Sequence, residues 1–278
     1  MSRLYRLWFL VSFSCTGLVA FPSSGSAQNI RDGLPDNPAP AEASYRPLPL
    51  EREATWKSLP GDFLHDQKDI WLFPTQLARG RHWIPVLAVT GATAGLIVAD
   101  PHVMPYFRKH AGNLDDLNDT FDPMITTAEV IAVPVGLMVS GYIRHDQRSV
   151  SSALLCAEAY ADSAIPNLAI KAITRRERPS DIPPDGDFHN TFFNGGKSPF
   201  HGSSFPSGHA TGAFSVATVV AIRYQRHRWV PWAAYALATA VSFSRVTSSA
   251  HFPSDVFLGA AMGYSVARFQ VLRAHSDH

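Results

Sequence analysis

The sequence predicts an all-α fold: a helical bundle whose active site lies at one end, formed by helix termini and a long loop. Two observations carry this. Six long apolar runs rich in Ala follow one another from residue 83 to residue 273, each long enough for a helix of several turns. Alternating polar and apolar stretches of the kind that make half-buried strands are scarce. Short links between such runs make neighbouring helices antiparallel, so every second link falls at the same end of the bundle.

Residues 1–27 read as a secretory signal. Arg3 and Arg6 form a basic start, "LWFLVSFSCTGLVAF" is the apolar segment, and Gly25 and Ala27 are small residues suited to cleavage before Gln28. The alternative is an uncleaved anchor, but the apolar run is short for a span. Cys15 lies in this segment, which leaves Cys156 as one thiol with no internal disulfide partner and no zinc-type cysteine pair. Residues 28–80 are expected to be a flexible leader with a short helix near "DQKDIWLFP", since "QNIRDGLPDNPAPAEASYRPLPL" is Pro- and Ala-rich and lacks periodicity.

Residues 81–273 form the bundle domain and 274–278 a C-terminal tail. The helical runs cover 83–99, 125–143, 151–174, 208–224, 230–246 and 253–273. Residues 179–206, "PSDIPPDGDFHNTFFNGGKSPFHGSSFP", are irregular, and a loop of that length inside a compact domain is often functional. His189, Lys197 and His201 lie in it as candidate substrate contacts, or simply as solvated loop residues. The net charge of +1 gives no argument for nucleic-acid binding.

Several runs approach membrane-spanning length. Against spanning, Glu129, Glu158 and Asp162 fall inside them, and carboxylates inside a bilayer are costly. Six crossings after a cleaved signal would also leave "RHDQRS" and "RYQRHRW" outside, against the positive-inside tendency. These two costs favour an exported form, soluble or surface-associated, with its site outside the cytoplasm. Glu158 and Asp162 read as buried partners of site cations or of one another.

Three polar clusters sit at helix ends. In "KAITRRERP", Lys171 and Arg178 are two turns apart on one face, although a basic helix end is also a common dipole complement. In "PSGH", Ser207 reads as a cap for the run that follows, or with Gly208 and His209 as an anion site. In "SRVTSSAHFPSD", Arg245 precedes His251 and Asp255, and Pro253 suits a first helical turn. The spacing of four lets Asp255 orient one nitrogen of His251 and leave the other as base or nucleophile. Antiparallel packing brings all three clusters to one end. Two arginines, a lysine and helix amides around two histidines suit a phosphate-like oxyanion. No carboxylate cluster for a metal is evident among these residues.

Lys171-x6-Arg178-Pro179, then Pro206-Ser207-Gly208-His209, then Ser244-Arg245-x5-His251-x3-Asp255 resembles the type 2 phosphatidic acid phosphatase superfamily. That superfamily includes bacterial non-specific acid phosphatases and vanadium haloperoxidases. The likeness covers about residues 80 to 273, with no departure at the motif positions. It implies a metal-independent phosphatase acting on phosphomonoesters through a phosphohistidine. His251 would be the nucleophile, Asp255 its orienting carboxylate, and His209 the proton donor and then the base. Lys171, Arg178, Ser207, Gly208 and Arg245 would hold the phosphoryl oxygens. No cofactor is expected. The alternatives are a membrane lipid phosphatase for phosphatidate or isoprenyl pyrophosphate substrates, and a haloperoxidase holding vanadate. The expected partner is a phosphorylated small molecule or lipid phosphate, with membrane association possible.

Overall fold

The computed structural model describes residues 52–195 and 203–273; the expected signal, the first part of the expected leader, Lys197, His201 and the tail lie outside the described residues. Among the described residues the chain is all-α, with no strand. The helices are α1 (Leu59–Ala78), α2 (Trp83–His110), the short α3 (Asp115–Thr120), α4 (Pro123–Arg144), α5 (Gln147–Thr174), α6 (Gly208–Arg223), α7 (Trp229–Thr247) and α8 (Pro253–Val266). Single 3-10 turns cover Ala111–Leu114 and Pro179–Asp181, and a π turn, Ala267–Val271, follows α8.

Local chemistry sets the main boundaries. Asp122 caps α4 by accepting from the Met124 amide at 2.9 Å, with Pro123 at the first helical position. Asp146 caps α5 through the Arg148 amide at 3.0 Å. That start lies four residues before the predicted one, because the polar "QRS" continues the helix below its cap. Arg175 ends α5 in the left-handed region at φ 39°. The run from 83 continues to His110 through Pro101 and Pro105, well past the expected end at 99.

The segment expected as a leader with a short helix instead carries the 20-residue α1, which packs on α5. Arg52, just before α1, explains this. Its guanidinium reaches Glu158 at 2.7 and 2.6 Å, and the Val271 carbonyl at 2.9 Å. Residues from 52 onward are therefore part of the bundle.

Large cations are buried in the bundle, and apolar side chains cover parts of its outside. Arg176, Arg223 and Arg245 are among its largest fully buried side chains. Ile84, Leu87 and Val98 on α2, Ile131, Val135, Val139 and Ile143 on α4, and Trp229 and Trp232 on α7 are all exposed. Scattered exposed apolar residues are ordinary, but whole faces of them mark contact with a partner or a membrane. Trp83–Leu114 and Thr126–Arg144 are each long and apolar enough to cross a membrane. Spanning is expected to be opposed by Glu129, Glu158, Asp162 and the two basic loops; of these, the structure changes the weight of Glu158 and Asp162. Both are buried against Arg52 and Gln67, which reduces that cost.

Helices α5 to α8 hold the site. Gly259 and Gly263 let α8 lie directly on the start of α6: a Cβ at Gly259 would stand 2.5 Å from the Ser207 carbonyl oxygen, and one at Gly263 would stand 2.2 Å from that of Thr211. The C-termini of α5 and α7 and the N-termini of α6 and α8 thus meet at one end, as the antiparallel reading expects. The Ser207 amide donates to the Asp255 carbonyl at 2.9 Å, and the His251 amide donates to the Arg245 carbonyl at 3.0 Å.

Candidate active site

One cavity of about 320 Å³ opens at this end. Lys171, Arg178, Gly208, His209 and His251 line its polar end. Its walls continue along α5 through Leu168 and Ala164 to Tyr160, opposite Val130 of α4 and Gly212 of α6. From Lys171 to Tyr160 is about 16 Å of helix rise.

His251 is 3 % exposed. Its Nδ1–H donates to the Ser204 carbonyl at 2.8 Å, a contact that fixes the tautomer because a carbonyl only accepts. Asp255 Oδ2 is 3.6 Å from the same nitrogen. The carboxylate therefore supports the ring by charge, and the orienting hydrogen bond expected from the i,i+4 spacing goes to Ser204. Nε2 is the nitrogen left for substrate. Burial holds the His251 imidazole below its ordinary pKa against the opposing pull of Asp255, so the ring is neutral and nucleophilic.

Asp255 is itself tightly held. Oδ2 accepts from the Phe252 amide at 2.8 Å, capping α8, and Oδ1 accepts from Arg176 Nη1 at 2.7 Å. Burial raises its pKa, but His251 and Arg176 outweigh that and keep it below the usual carboxylate range. Arg176 then spans the interior: Nη2 reaches Asp100 of α2 at 2.8 Å, Nε donates to Thr191 at 3.0 Å, and Nη1 also donates to Ser254 at 2.7 Å. Ser254 Oγ donates onward to Asp100.

The anion-holding side is poised but unsaturated. Lys171 Nζ donates to the Ser203 carbonyl at 2.8 Å, and burial, with Arg178 nearby, lowers its pKa to about 8 despite Asp255. The buried Nε of Arg178 and Nη1 of Arg245 have no hydrogen-bond partner. Buried N–H donors without acceptors are costly, and an oxyanion is a natural acceptor for both. Ser207 caps α6 with a long bond of 3.4 Å from the Ala210 amide. Gly208 is exposed at the polar end of the cavity, and a Cβ there would come no closer than 3.9 Å to Asn167. His209 Nε2 lies 3.4 Å from Thr127 Oγ1 of α4.

All eight residues picked out by spacing therefore gather at this end. Five line the cavity; Ser207, Asp255 and Arg245 stand behind it. Arg245 anchors the His251 backbone, and its Nε and Nη2 both donate to Ser244 Oγ. Of the loop candidates, His189 is exposed and bonded to Asp187, away from the cavity lining. Glu158 and Asp162 do not pair with site cations; they face Arg52 and Gln67. Spacing missed Arg176, Asp100, Ser203, Ser204 and Thr127. Arg176 lies within "TRRERP", but its partners come from other helices. The serines act through backbone carbonyls, which carry no residue signature.

Residues 152–275 match the model of the PAP2 superfamily. A 65-residue stretch is 40% identical to a lipid A 1-phosphatase of Porphyromonas gingivalis; it makes up 23% of this chain and 15% of that protein. The chain thus spans only a small part of that relative's length. A crystal structure described as the first transmembrane PAP2-type phosphatidylglycerolphosphate phosphatase, from Bacillus subtilis, aligns over 73% of this chain and 92% of that one, with 20% identity and a TM-score of 0.40.

Proposed function

From residues 152–275, which belong to the PAP2 superfamily, we propose that the chain is a phosphatase of membrane-borne lipid phosphates, working through a phosphohistidine. The observation that carries the reading is the lining of the cavity: cations and two histidines at one end, then Leu168, Ala164, Tyr160 and Val130 along its length. A phosphate at the cationic end leaves its alkyl chain to the apolar wall, where Leu168 and Tyr160 are exposed. The exposed faces of α2 and α4 support membrane association. The 40% identity to part of a lipid A 1-phosphatase supports a lipid substrate.

In the proposed reaction, Nε2 of neutral His251 attacks phosphorus and the P–O ester bond breaks. His209 gives its proton to the departing oxygen. Lys171, Arg178 and Arg245 with the α6 amides take up the charge on the phosphoryl oxygens. Water then attacks phosphorus as His209 takes its proton, the P–N bond breaks, and inorganic phosphate leaves as His251 is restored. Asp255 stabilises the imidazolium in between. No step requires a metal or cofactor.

The test is a panel assayed on the purified full chain in mixed micelles: a diacylglycerol phosphate, an isoprenyl pyrophosphate and a water-soluble phosphomonoester. The lipid phosphates should show the higher kcat/KM. A soluble ester turned over as efficiently as the lipids would return the reading to a general phosphomonoesterase. A vanadate-dependent halide oxidation would replace it by the haloperoxidase alternative.

A further inference from the structure

A second polar cluster lies between α1 and α5, about 14 Å of helix rise from Lys171, and none of its residues lines the phosphate cavity. It contains Asp66, Glu158 and Asp162, which are 0 %, 2 % and 0 % exposed. One carboxylate oxygen from each lies within 4.8 Å of the others. Opposed oxygens on a Ca²⁺ ion stand roughly 4.8 Å apart, since each bond is about 2.4 Å.

Asp162 supplies the second observation. Its Oδ1 accepts from Gln67 Nε2 at 2.8 Å, and the same amide also donates to the Asp162 backbone carbonyl at 3.1 Å. Its Oδ2 is buried and has no hydrogen-bond partner. Among the described residues no cation lies within ion-pair distance of Asp162. Arg52 is engaged elsewhere in the cluster, with both Glu158 oxygens, with Asp62 at 3.0 Å and with Asp66 at 3.6 Å. A buried carboxylate oxygen without a donor or counter-charge is costly, and a hard cation satisfies it.

We propose that Asp66, Glu158 and Asp162 bind one divalent cation of the hard, oxygen-ligated class, such as Ca²⁺ or Mg²⁺, which fastens α1 to α5. Gln67 orients Asp162 for it, and the carboxylates have lone pairs left for the metal beside their bonds to Arg52. Without an ion, burial pushes the Glu158 and Asp162 carboxyls up to about 7; a bound dication holds both ionised. The site is structural and does not depend on the phosphatase reading.

The experiment uses the full chain in detergent, stripped with chelator and desalted. It is titrated calorimetrically with Ca²⁺, Mg²⁺ and Mn²⁺ in turn, and its melting is followed with and without each ion. The expected result is saturable binding of at least one of them at one ion per chain, with a higher melting temperature. Asp162→Asn, nearly isosteric, should weaken that binding at least tenfold while circular dichroism stays helical. If Asp162→Asn does not fold, the wild-type titration and melting shift decide. No saturable binding, with melting unmoved by all three ions, overturns the site in favour of carboxylates that share protons. Wild-type affinity in a folded Asp162→Asn also overturns it.

Discussion

Arg176 bonds Asp255 through Nη1 at 2.7 Å and Asp100 through Nη2 at 2.8 Å, so the carboxylate behind the candidate nucleophile is tied to a helix more than 150 residues earlier in the chain. The guanidinium lies 3.8 Å over the Phe252 ring and 4.6 Å over that of Phe192. A buried arginine so placed pairs with two buried carboxylates and fixes the plane of one of them.

Removing that cation leaves both carboxylates buried without their ion-pair partner. Arg176→Met should therefore destabilise the protein by about 3–5 kcal/mol, the range for breaking a buried pair from one side. Thermal unfolding in detergent measures it. The double variant Arg176→Met with Asp100→Asn should recover part of the loss, because one orphaned charge is gone. Equal instability of the single and double variants would show that the two groups are not coupled.

The two arginines proposed to hold phosphate should not tolerate lysine. Arg178 Nε and Arg245 Nη1 are buried donors without acceptors, and a lysine cannot supply a fork in their place. Arg178→Lys and Arg245→Lys should each lower kcat/KM by about 10²–10³, as loss of one oxyanion donor does, with the helical spectrum intact. Near-wild-type turnover in either variant would remove that arginine from phosphate binding.

Activity should fall as pH rises through about 8, where the buried Lys171 ammonium loses its proton and its hold on phosphate. Because folding lowers this pKa, the unfolded chain binds the proton more tightly between pH about 8 and 10.5, so the Lys171 contribution to stability rises with pH across that window while activity declines. The acid limb belongs to His251, whose lowered pKa keeps the ring neutral below the ordinary histidine value. Lys171→Arg should move the alkaline limb upward in a kcat/KM profile. An unmoved limb would assign it to another group.

The α6–α8 contact should be intolerant of added bulk. A Cβ on Gly263 would meet the Thr211 carbonyl oxygen at 2.2 Å, and backbone cannot rotate away as a side chain can. Gly263→Ala should destabilise by about 1–3 kcal/mol and lower activity, since α8 carries Asp255 at its start. A variant melting like wild type would mean that the helices have room to separate.

That the eight candidate residues gather at one end was legible because helix ends put short, fixed spacings to use. Ser207 caps, Pro253 starts a helix, and a bundle with short links returns its termini to one end. What stayed hidden depends on pairing between distant segments. Ser204 serves through a carbonyl, and Arg176 resembles its neighbour Arg175 in sequence, yet one is buried among carboxylates and the other is exposed. The extent of α1 was missed because its anchor, Arg52, finds its counter-charge at Glu158, 106 residues on. The two carboxylates on α5 counted against membrane association for the same reason: a sequence displays the charge and conceals its partner.

The two histidines should separate by function. His251 is buried, its Nδ1 is fixed by Ser204, and its Nε2 is left to the cavity; His209 stands at the polar end near Thr127. His251→Ala lacks the attacking nitrogen and should form no acid-labile phosphoenzyme. His209→Ala still has it. With p-nitrophenyl phosphate, whose leaving group needs little protonation, it should accumulate phosphoenzyme and turn over slowly, because water lacks its base. The measurement is mixing with labelled substrate, denaturation without acid, and counting of protein-bound phosphate. A lipid phosphate, whose alkoxide leaves poorly, should give far less label in His209→Ala than the nitrophenyl ester, and that contrast identifies His209 as the proton donor. Label retained in His251→Ala and absent from His209→Ala would exchange the two roles.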